Sequence, residues 1–249
     1  MTVLAFPRLV SVIMPNYNYG RFIAHAIESV IQQDYRPIEL IVIDDGSTDD
    51  SLERIATALE RPHELSRAEV VAFPENRGKI AAMNRGIELA SGEYSIILDA
   101  DDFLSKSYVS RCVAELEKAR AEDETIGFVY TDCNLISEHG DYLERGRSTA
   151  FDPALIEHYS FIPEPAVVLT EALRACWPYD ETIRRGTKHH KWRRVIEAGW
   201  AGRHLPEPLF YYRMHGQNLS GIGNRVLGEI RGGRQGERIL SGYWPTQAR

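Results

Sequence analysis

Short apolar, β-branched runs alternate with segments whose apolar residues recur at helical spacing through residue 130. Val10–Met14 ends at Pro15, and Glu39–Ile43 ends at Asp44-Asp45-Gly46-Ser47; both read as buried strands. Glu69–Phe73, Tyr94–Leu98 and Ile126–Tyr130 read as three further strands. Between them, residues 21–33, with Phe22, Ala26, Ile27, Val30 and Ile31, carry one apolar helical face. A second helix follows Thr48 or Asp49 as cap, with Leu52, Ile55, Ala56 and Leu59 inward. Residues 78–90, closed by Ser91-Gly92, and 105–121 are predicted as the third and fourth helices.

Strands this short, separated by helices, predict an α/β chain with a mainly parallel sheet flanked by helices. Ligands of such sheets bind beyond the carboxyl ends of the strands. The polar clusters fall at those ends: Asn16-Tyr17-Asn18, Asp44-Asp45, Asn76-Arg77-Gly78 and Asp99 to Asp102. After residue 133 the alternation weakens. Residues 138–165 read as loop, 170–175 and 188–198 as helices, and 209–214 as a strand. Residues 223–249 read as a loosely held Gly- and Arg-rich tail.

Charge changes this picture. Residues 184–249 hold 13 Lys+Arg against 4 Asp+Glu, a balance of +9, so residues 1–183 carry −16 of the total −7. Such asymmetry points to an anionic partner for the basic part, or to a solvated basic face. No apolar run approaches the roughly 18 residues of a membrane span. The first residues lack the apolar core of a secretory signal. Cys112, Cys133 and Cys176 form no paired motif, so a disulfide scaffold and a cysteine zinc site are both excluded and a cytoplasmic setting is expected. Nucleic acid is not expected as a partner of a chain with a pI near 5.7 and no aromatic platform in its basic part.

Asp44, Asp45, Asp99 and Asp101 cannot share one rim while ionised unless a counter-charge is present. Hard oxygen ligands suit Mg²⁺ or Mn²⁺, which keep positions open for phosphates; Asp pairs also fill turns, and Asp102 reads as such a turn residue. Neither G-x-G-x-x-G nor G-x-x-x-x-G-K-[ST] occurs, so both phosphate loops are missing. Asn218-Leu219-Ser220 matches a glycosylation sequon by pattern only.

Pro15-Asn16-Tyr17-Asn18, Asp44 to Asp49, Asn76-Arg77-Gly78 with Asn84-Arg85-Gly86, and Gly92-Glu93-Tyr94 before Leu98 to Asp102 occur in that order. The series resembles the family 2 glycosyltransferases over residues 8–110. The likeness continues more loosely through Trp177 to Glu181, Trp192 to Gly199 and Tyr211 to His215. The resemblance implies a GT-A, Rossmann-like nucleotide-sugar-binding fold with a smaller C-terminal acceptor-side extension. It divides the chain into a nucleotide-sugar-binding half (1–132), an acceptor-side half of the same domain (133–222) and the basic tail (223–249). It implies inverting transfer from a nucleotide-sugar, with UDP-sugars the expected donors, to a glycan or lipid-linked saccharide in polysaccharide synthesis. Pro15, Tyr17, Asn18, Asp44, Asp45, Arg77, Lys79, Asp99 and Arg213 match donor-site positions. Asp99, Asp101 and His215 match positions that hold Mn²⁺ or Mg²⁺.

One position departs. The base that takes the acceptor proton is usually an Asp in a Glu-Asp pair about a dozen residues before a Gly. Counting back from Gly199, this chain has Thr187-Lys188, followed by His189-His190. Three readings stay open: His190 (preferred) or His189 as base, near their ordinary pKa of about 6.5; a carboxylate from elsewhere, Glu164 or Glu181; or a nucleotide-sugar-binding or scaffold protein without transfer. Lys188 has an alternative role as a phosphate ligand. A sugar-nucleotidyltransferase would need a glycine-rich basic loop after the first strand, and Pro15 to Asn18 is not one. The basic part, with Arg225, Arg231, Arg234 and Arg238, is expected to meet an anionic acceptor or the inner face of an anionic membrane.

Overall fold

The computed structural model describes residues 6–240. Its first part runs β1 (Phe6–Asn16), α1 (Gly20–Ile31), β2 (Ile38–Asp44), α2 (Ser51–Leu59), β3 (Arg67–Ala72), α3 (Lys79–Leu89) and β4 (Gly92–Ile97). Strands β4, β1, β2 and β3 lie side by side and parallel. The chain thus steps outward from β1 to β3, then returns to the other side of β1. That reversal opens a crevice at the carboxyl ends of β1 and β4. Asn16 lies opposite Asp44, so β1 and β2 finish level, while β4 ends at Ile97 opposite Ile13 and Leu98 N–H still donates to Ile13 O at 2.9 Å.

Strands covered on both faces need apolar residues throughout, which is why Val12, Ile13, Met14, Ile41, Ile43 and Ile96 are all fully buried. Helix α1 buries Phe22, Ile23, Ala26, Ile27 and Val30 against them. Helix α3 lies close to β1: a methyl group added at Gly86 would stand 2.2 Å from Ile13 Cγ2. In α2 the inward face is Ser51, Ile55 and Ala58, while Leu52 is exposed. This helix packs on one side only, so its apolar period identified the element and not its inward face.

The second part continues with β5 (Phe103–Leu104), α4 (Tyr108–Glu122), β6 (Ile126–Ile136), β7 (Tyr142–Arg147), a 3₁₀ turn (Pro153–Glu157), β8 (Ala166–Leu169), α5 (Thr170–Arg174), α6 (Thr187–Glu197), β9 (Ala201–Arg213), α7 (Ile222–Arg231) and β10 (Arg238–Ile239). Strand β8 enters antiparallel between β4 and β6, and β9 runs parallel to β6, making one mixed sheet. Two expectations need correction. Residues 138–165 are not all loop, because β7 pairs antiparallel with β6. Residues 223–240 do not hang loosely, because α7 buries Ile222 and Val226 and β10 joins the edge of β7. Arg238 is only 3% exposed and its guanidinium is bonded by Glu144 and Glu229, so it is no surface cation. Residues 241–249 of the expected tail lie outside the described residues. Among those described, no helix is long and apolar enough to cross a membrane.

Candidate active site

The loops after β1 and β2 are tied to each other. Asp44 accepts from Asn16 Nδ2 at 2.7 Å and from Ser47 N and Oγ at 2.9 and 2.7 Å. Asn18, with φ of 55°, donates its N–H to Ser47 Oγ at 2.9 Å and accepts from Thr48 N–H at 2.8 Å. Asn tolerates this left-handed conformation better than most side chains. Pro15 lies within β1 opposite Ile43, and Tyr17 stands 43% exposed just past the strand end.

Asp45 holds the next loop. Its carboxylate accepts from Arg77 N at 2.7 Å, Gly78 N at 2.8 Å and Asn76 Nδ2 at 3.0 Å. Burial raises its pKa, and the Arg77 and Gly78 N–H groups oppose that rise. Asp44 and Asp45 are therefore stabilised by donors of the loops that meet at these strand ends. The shared counter-ion expected for all four carboxylates is needed only by the group after β4. Arg77 lies over the Phe73 ring at 4.9 Å and pairs with Glu181 at 3.2 Å. Lys79, at the start of α3, pairs with Asp99 at 2.5 Å. Burial disfavours its charge, but Asp99 and Glu164 outweigh burial and hold its pKa above the ordinary lysine value.

Asp99, Asp101 and Asp102 bring one oxygen each within 4.8 Å of one another. Asp102 lies in the turn as expected, but its side chain is buried, and burial together with Asp101 and Asp99 pushes its carboxyl well up. Three crowded carboxylates form a hard, anionic donor set that fits Mg²⁺ or Mn²⁺. His215 is 2% exposed, edge-on to Tyr19, with Nε2 at 3.0 Å from Asp101 Oδ2. Gln217 N–H donates to its Nδ1 at 3.2 Å, which assigns the ring proton to Nε2. His215 thus belongs to the carboxylate group and not to a surface turn.

Arg213 takes another position than expected. Its N–H donates to Asp102 Oδ1 at 2.9 Å, its Nε to Asp101 O at 2.9 Å and its Nη1 to Glu138 O at 3.0 Å. It braces the carboxylate turn from behind, where main-chain carbonyls occupy its donors. Asn218, noticed in the sequence only as a sequon, is buried; its Oδ1 accepts His215 N–H and its Nδ2 donates to Arg213 O, both at 2.9 Å. Its one legible signal was its place three residues after His215.

On α6 the expected base candidates separate. Asp180 N–H donates to His190 Nε2 at 3.4 Å, and Tyr179 packs edge-on to that ring. Burial first, and Arg194 second, lower the His190 pKa; burial and Arg193 lower that of His189. Lys188 is their neighbour in the first turn of α6. Burial pushes it down to about 7, and Glu164, Lys79, Asp99 and Lys191 are the charges that act on it. Glu164 is buried, with both oxygens on Lys191 Nζ at 2.5 and 2.6 Å. Glu181 is tethered at the rim by Arg77 and by Asn84 Nδ2 at 3.2 Å. Asn84 also exchanges bonds with Tyr179 N and O at 2.9 and 2.8 Å, fixing residues 177–181 to α3.

The family model described as glycosyl transferase family 2 matches residues 11–174, the span that supplies β1 to β8 and the carboxylate group. The chain belongs to glycosyl transferase family 2. It is 28% identical over 219 residues to a chondroitin synthase of Escherichia coli, covering 85% of this chain and 30% of that protein. It is 30% identical over 231 residues to an uncharacterized glycosyltransferase of a Nostoc species, covering 84% and 66%. An uncharacterized Haemophilus influenzae glycosyltransferase is 37% identical over 134 residues, 54% of this chain and 47% of that one. The chain therefore spans about a third to two thirds of the length of these family 2 relatives. Its fold is shared by S. aureus TarS 1-349 in complex with UDP, with a TM-score of 0.63 at 18% identity over 89% of this chain and 65% of that one. A Pyrobaculum calidifontis mannosyltransferase, solved with GDP-Man and Mn²⁺, shares it with a TM-score of 0.63 at 20% identity over 94% and 66%. The GT-A architecture that the motifs led one to expect of this family 2 member is thus the one observed.

Proposed function

We propose that the chain is a metal-dependent, inverting glycosyltransferase that takes a UDP-sugar and transfers to a glycan or lipid-linked saccharide. The observation that carries this reading is the Asp99-Asp101-Asp102 group at the switch point, joined by His215 and Lys79. Asp99, Asp101 and His215, the last giving up its Nε2 proton, would hold Mg²⁺ or Mn²⁺, which when bound supplies Lewis-acid neutralisation of a leaving diphosphate. The chain's own groups do the rest. Pro15, Tyr17 and Asp45 would cradle the base and Asp44 and Asp99 lie near the ribose; Asn16 and Asn18 tie the loops after β1 and β2 together, Asp45 also presents the Arg77-Gly78 loop, and Arg213 and Asn218 hold Asp101 and His215 in place. Groups fixed before reaction spend no reorganisation energy as charge develops. Two fold relatives solved with UDP and with GDP-Man and Mn²⁺ support this donor chemistry.

A thermal-shift panel of UDP, GDP and dTDP with and without Mn²⁺ tests the reading. Ligand at about 100 times its Kd adds about 2.7 kcal/mol, which for a chain this size raises Tm by about 5–10 °C. The expected result is such a rise with UDP and Mn²⁺, abolished by EDTA. No shift with any nucleotide would overturn it.

Arg225, Arg231 and Arg234 are exposed in the basic C-terminal part. We propose peripheral contact with an anionic membrane through them. Co-sedimentation with vesicles containing acidic lipid is expected at low salt and lost at high salt; equal binding to neutral vesicles would count against it.

A further inference from the structure

Residues 175–186 join α5 to α6, and this segment is fastened on two sides. Asn84 of α3 bonds Tyr179 N and O, and Asp180 N–H donates to His190 Nε2 at 3.4 Å. Between these ties the segment meets the loop after β3 at Arg77. Arg77 Nη2 donates to Glu181 Oε2 at 3.2 Å, while Asn84 Nδ2 donates to Glu181 Oε1 at 3.2 Å. In return Arg184 Nη1 donates to Arg77 O. Each segment thus sends one side chain to the other.

The Arg184 bond falls on a particular peptide group. Arg77 O and Gly78 N–H belong to the same peptide plane, and Gly78 N–H donates to Asp45 Oδ2 at 2.8 Å. One plane is therefore held by a carboxylate on its N–H and by a guanidinium on its C=O. The two charges polarise the peptide in the same sense, so each bond strengthens the other. A plane that precedes a glycine is the kind that flips most readily, because glycine accepts φ of either sign. Gly78 stands at φ 98°, and a methyl group added there would overlap the Arg184 guanidinium. A flip would turn the Gly78 N–H away from Asp45 and would shift Lys79, the next residue, whose ammonium pairs with Asp99. Burial raises the Asp45 pKa; the Arg77 and Gly78 N–H groups and then the Arg184 charge oppose that rise, so Arg184 also favours the ionised carboxylate that holds the plane.

We propose that Arg184 is a positioning residue of the donor site, holding the Arg77–Gly78 peptide in the orientation in which the loop after β3 receives a nucleotide. This deepens the transferase reading and rests on it for the assignment of the nucleotide to that loop. Glu181 acts with Arg184, since its bond to Arg77 keeps the two segments together. Arg184 acts through Arg77 O and need not touch the nucleotide, so its contribution is the same in ground and transition states and belongs in the donor KM rather than in kcat.

The experiment compares the full wild-type chain with Arg184→Met and Arg184→Lys. Hydrogen exchange of the Gly78 amide is followed by NMR without nucleotide, and UDP binding with Mn²⁺ by titration calorimetry. One hydrogen bond is worth up to about tenfold in the balance between the two orientations. In Arg184→Met the flipped form is expected to prevail, with faster exchange at Gly78. Only the held form binds, so Kd for UDP should rise about threefold or more, and the KM for donor turnover with it, while kcat stays within about twofold. Arg184→Lys should recover most of both losses, since it can donate to the same oxygen. Arg184 is exposed, so the nucleotide-free melting temperatures are expected to agree within about 2 °C. Unchanged exchange at Gly78, an unchanged Kd, a loss that Arg184→Lys shares in full, or faster exchange spread over the whole chain with a lowered melt overturns the proposal. Failure of UDP to bind the wild-type chain would strike the donor reading instead; the exchange arm needs no nucleotide and still decides whether Arg184 holds the peptide.

Discussion

Asp101→Asn is expected to lower turnover of the nucleotide-sugar donor by about 10²–10³-fold, the usual cost of removing one preorganised charge-stabilising group. The substitution keeps the shape of the side chain and removes its charge. Its Oδ2 is the atom that faces His215 Nε2 at 3.0 Å, and its main-chain O is held by Arg213. The residual rate should match that of the wild-type chain in EDTA, because both lack the same interaction. Stability should move the other way. Asp101 raises the pKa of Asp102 by like-charge repulsion, so in EDTA the variant is expected to melt above the wild type. Release of nucleotide diphosphate and a thermal melt check the pair of effects; turnover within twofold of wild type would refute the metal-site assignment.

Lys191→Met is expected to destabilise the fold by about 3–5 kcal/mol, because it leaves the Glu164 carboxylate buried without its cation. Lys191 is 1% exposed and both Glu164 oxygens lie on its ammonium. For a chain of this size the loss corresponds to about 6–20 °C in Tm. The double variant Glu164→Gln with Lys191→Met should recover most of it, since no unpaired charge then remains buried. Urea denaturation of the single and double variants reads the coupling. A single variant within about 1 kcal/mol of wild type would show that water or another group reaches Glu164.

The two halves of the chain differed in how far they could be read. β1, β2 and β4 are covered on both faces, so their apolar runs mark them directly, and the polar residues at their ends could be assigned to a ligand crevice. β8 is four residues long and enters antiparallel between strands met much earlier in the chain, so no local period announces it. β7 is mostly polar in sequence, with Tyr142 exposed and Glu144 buried where Arg238 reaches it from the far end of the chain. The candidate site divides in the same way. Asp99, Asp101 and His215 were legible as chemistry. The roles of Asp45 and Arg213 were not, because each is decided by hydrogen bonds to backbone groups that other segments bring to it.

The amino-acid sequence alone determined the layered α/β class, the order of the first strands and helices, and the clustering of carboxylates at the strand ends. Those features follow from local periodicity and from the need to bury apolar faces. Only the tertiary structure decided which carboxylates are satisfied by N–H groups and which still crowd one another. It alone placed Arg213 on the main-chain carbonyls of Asp101 and Glu138 and both Glu164 oxygens on the Lys191 ammonium. Burial and hydrogen-bond pairing belong to segments meeting in space, and a residue's neighbours in sequence do not contain them.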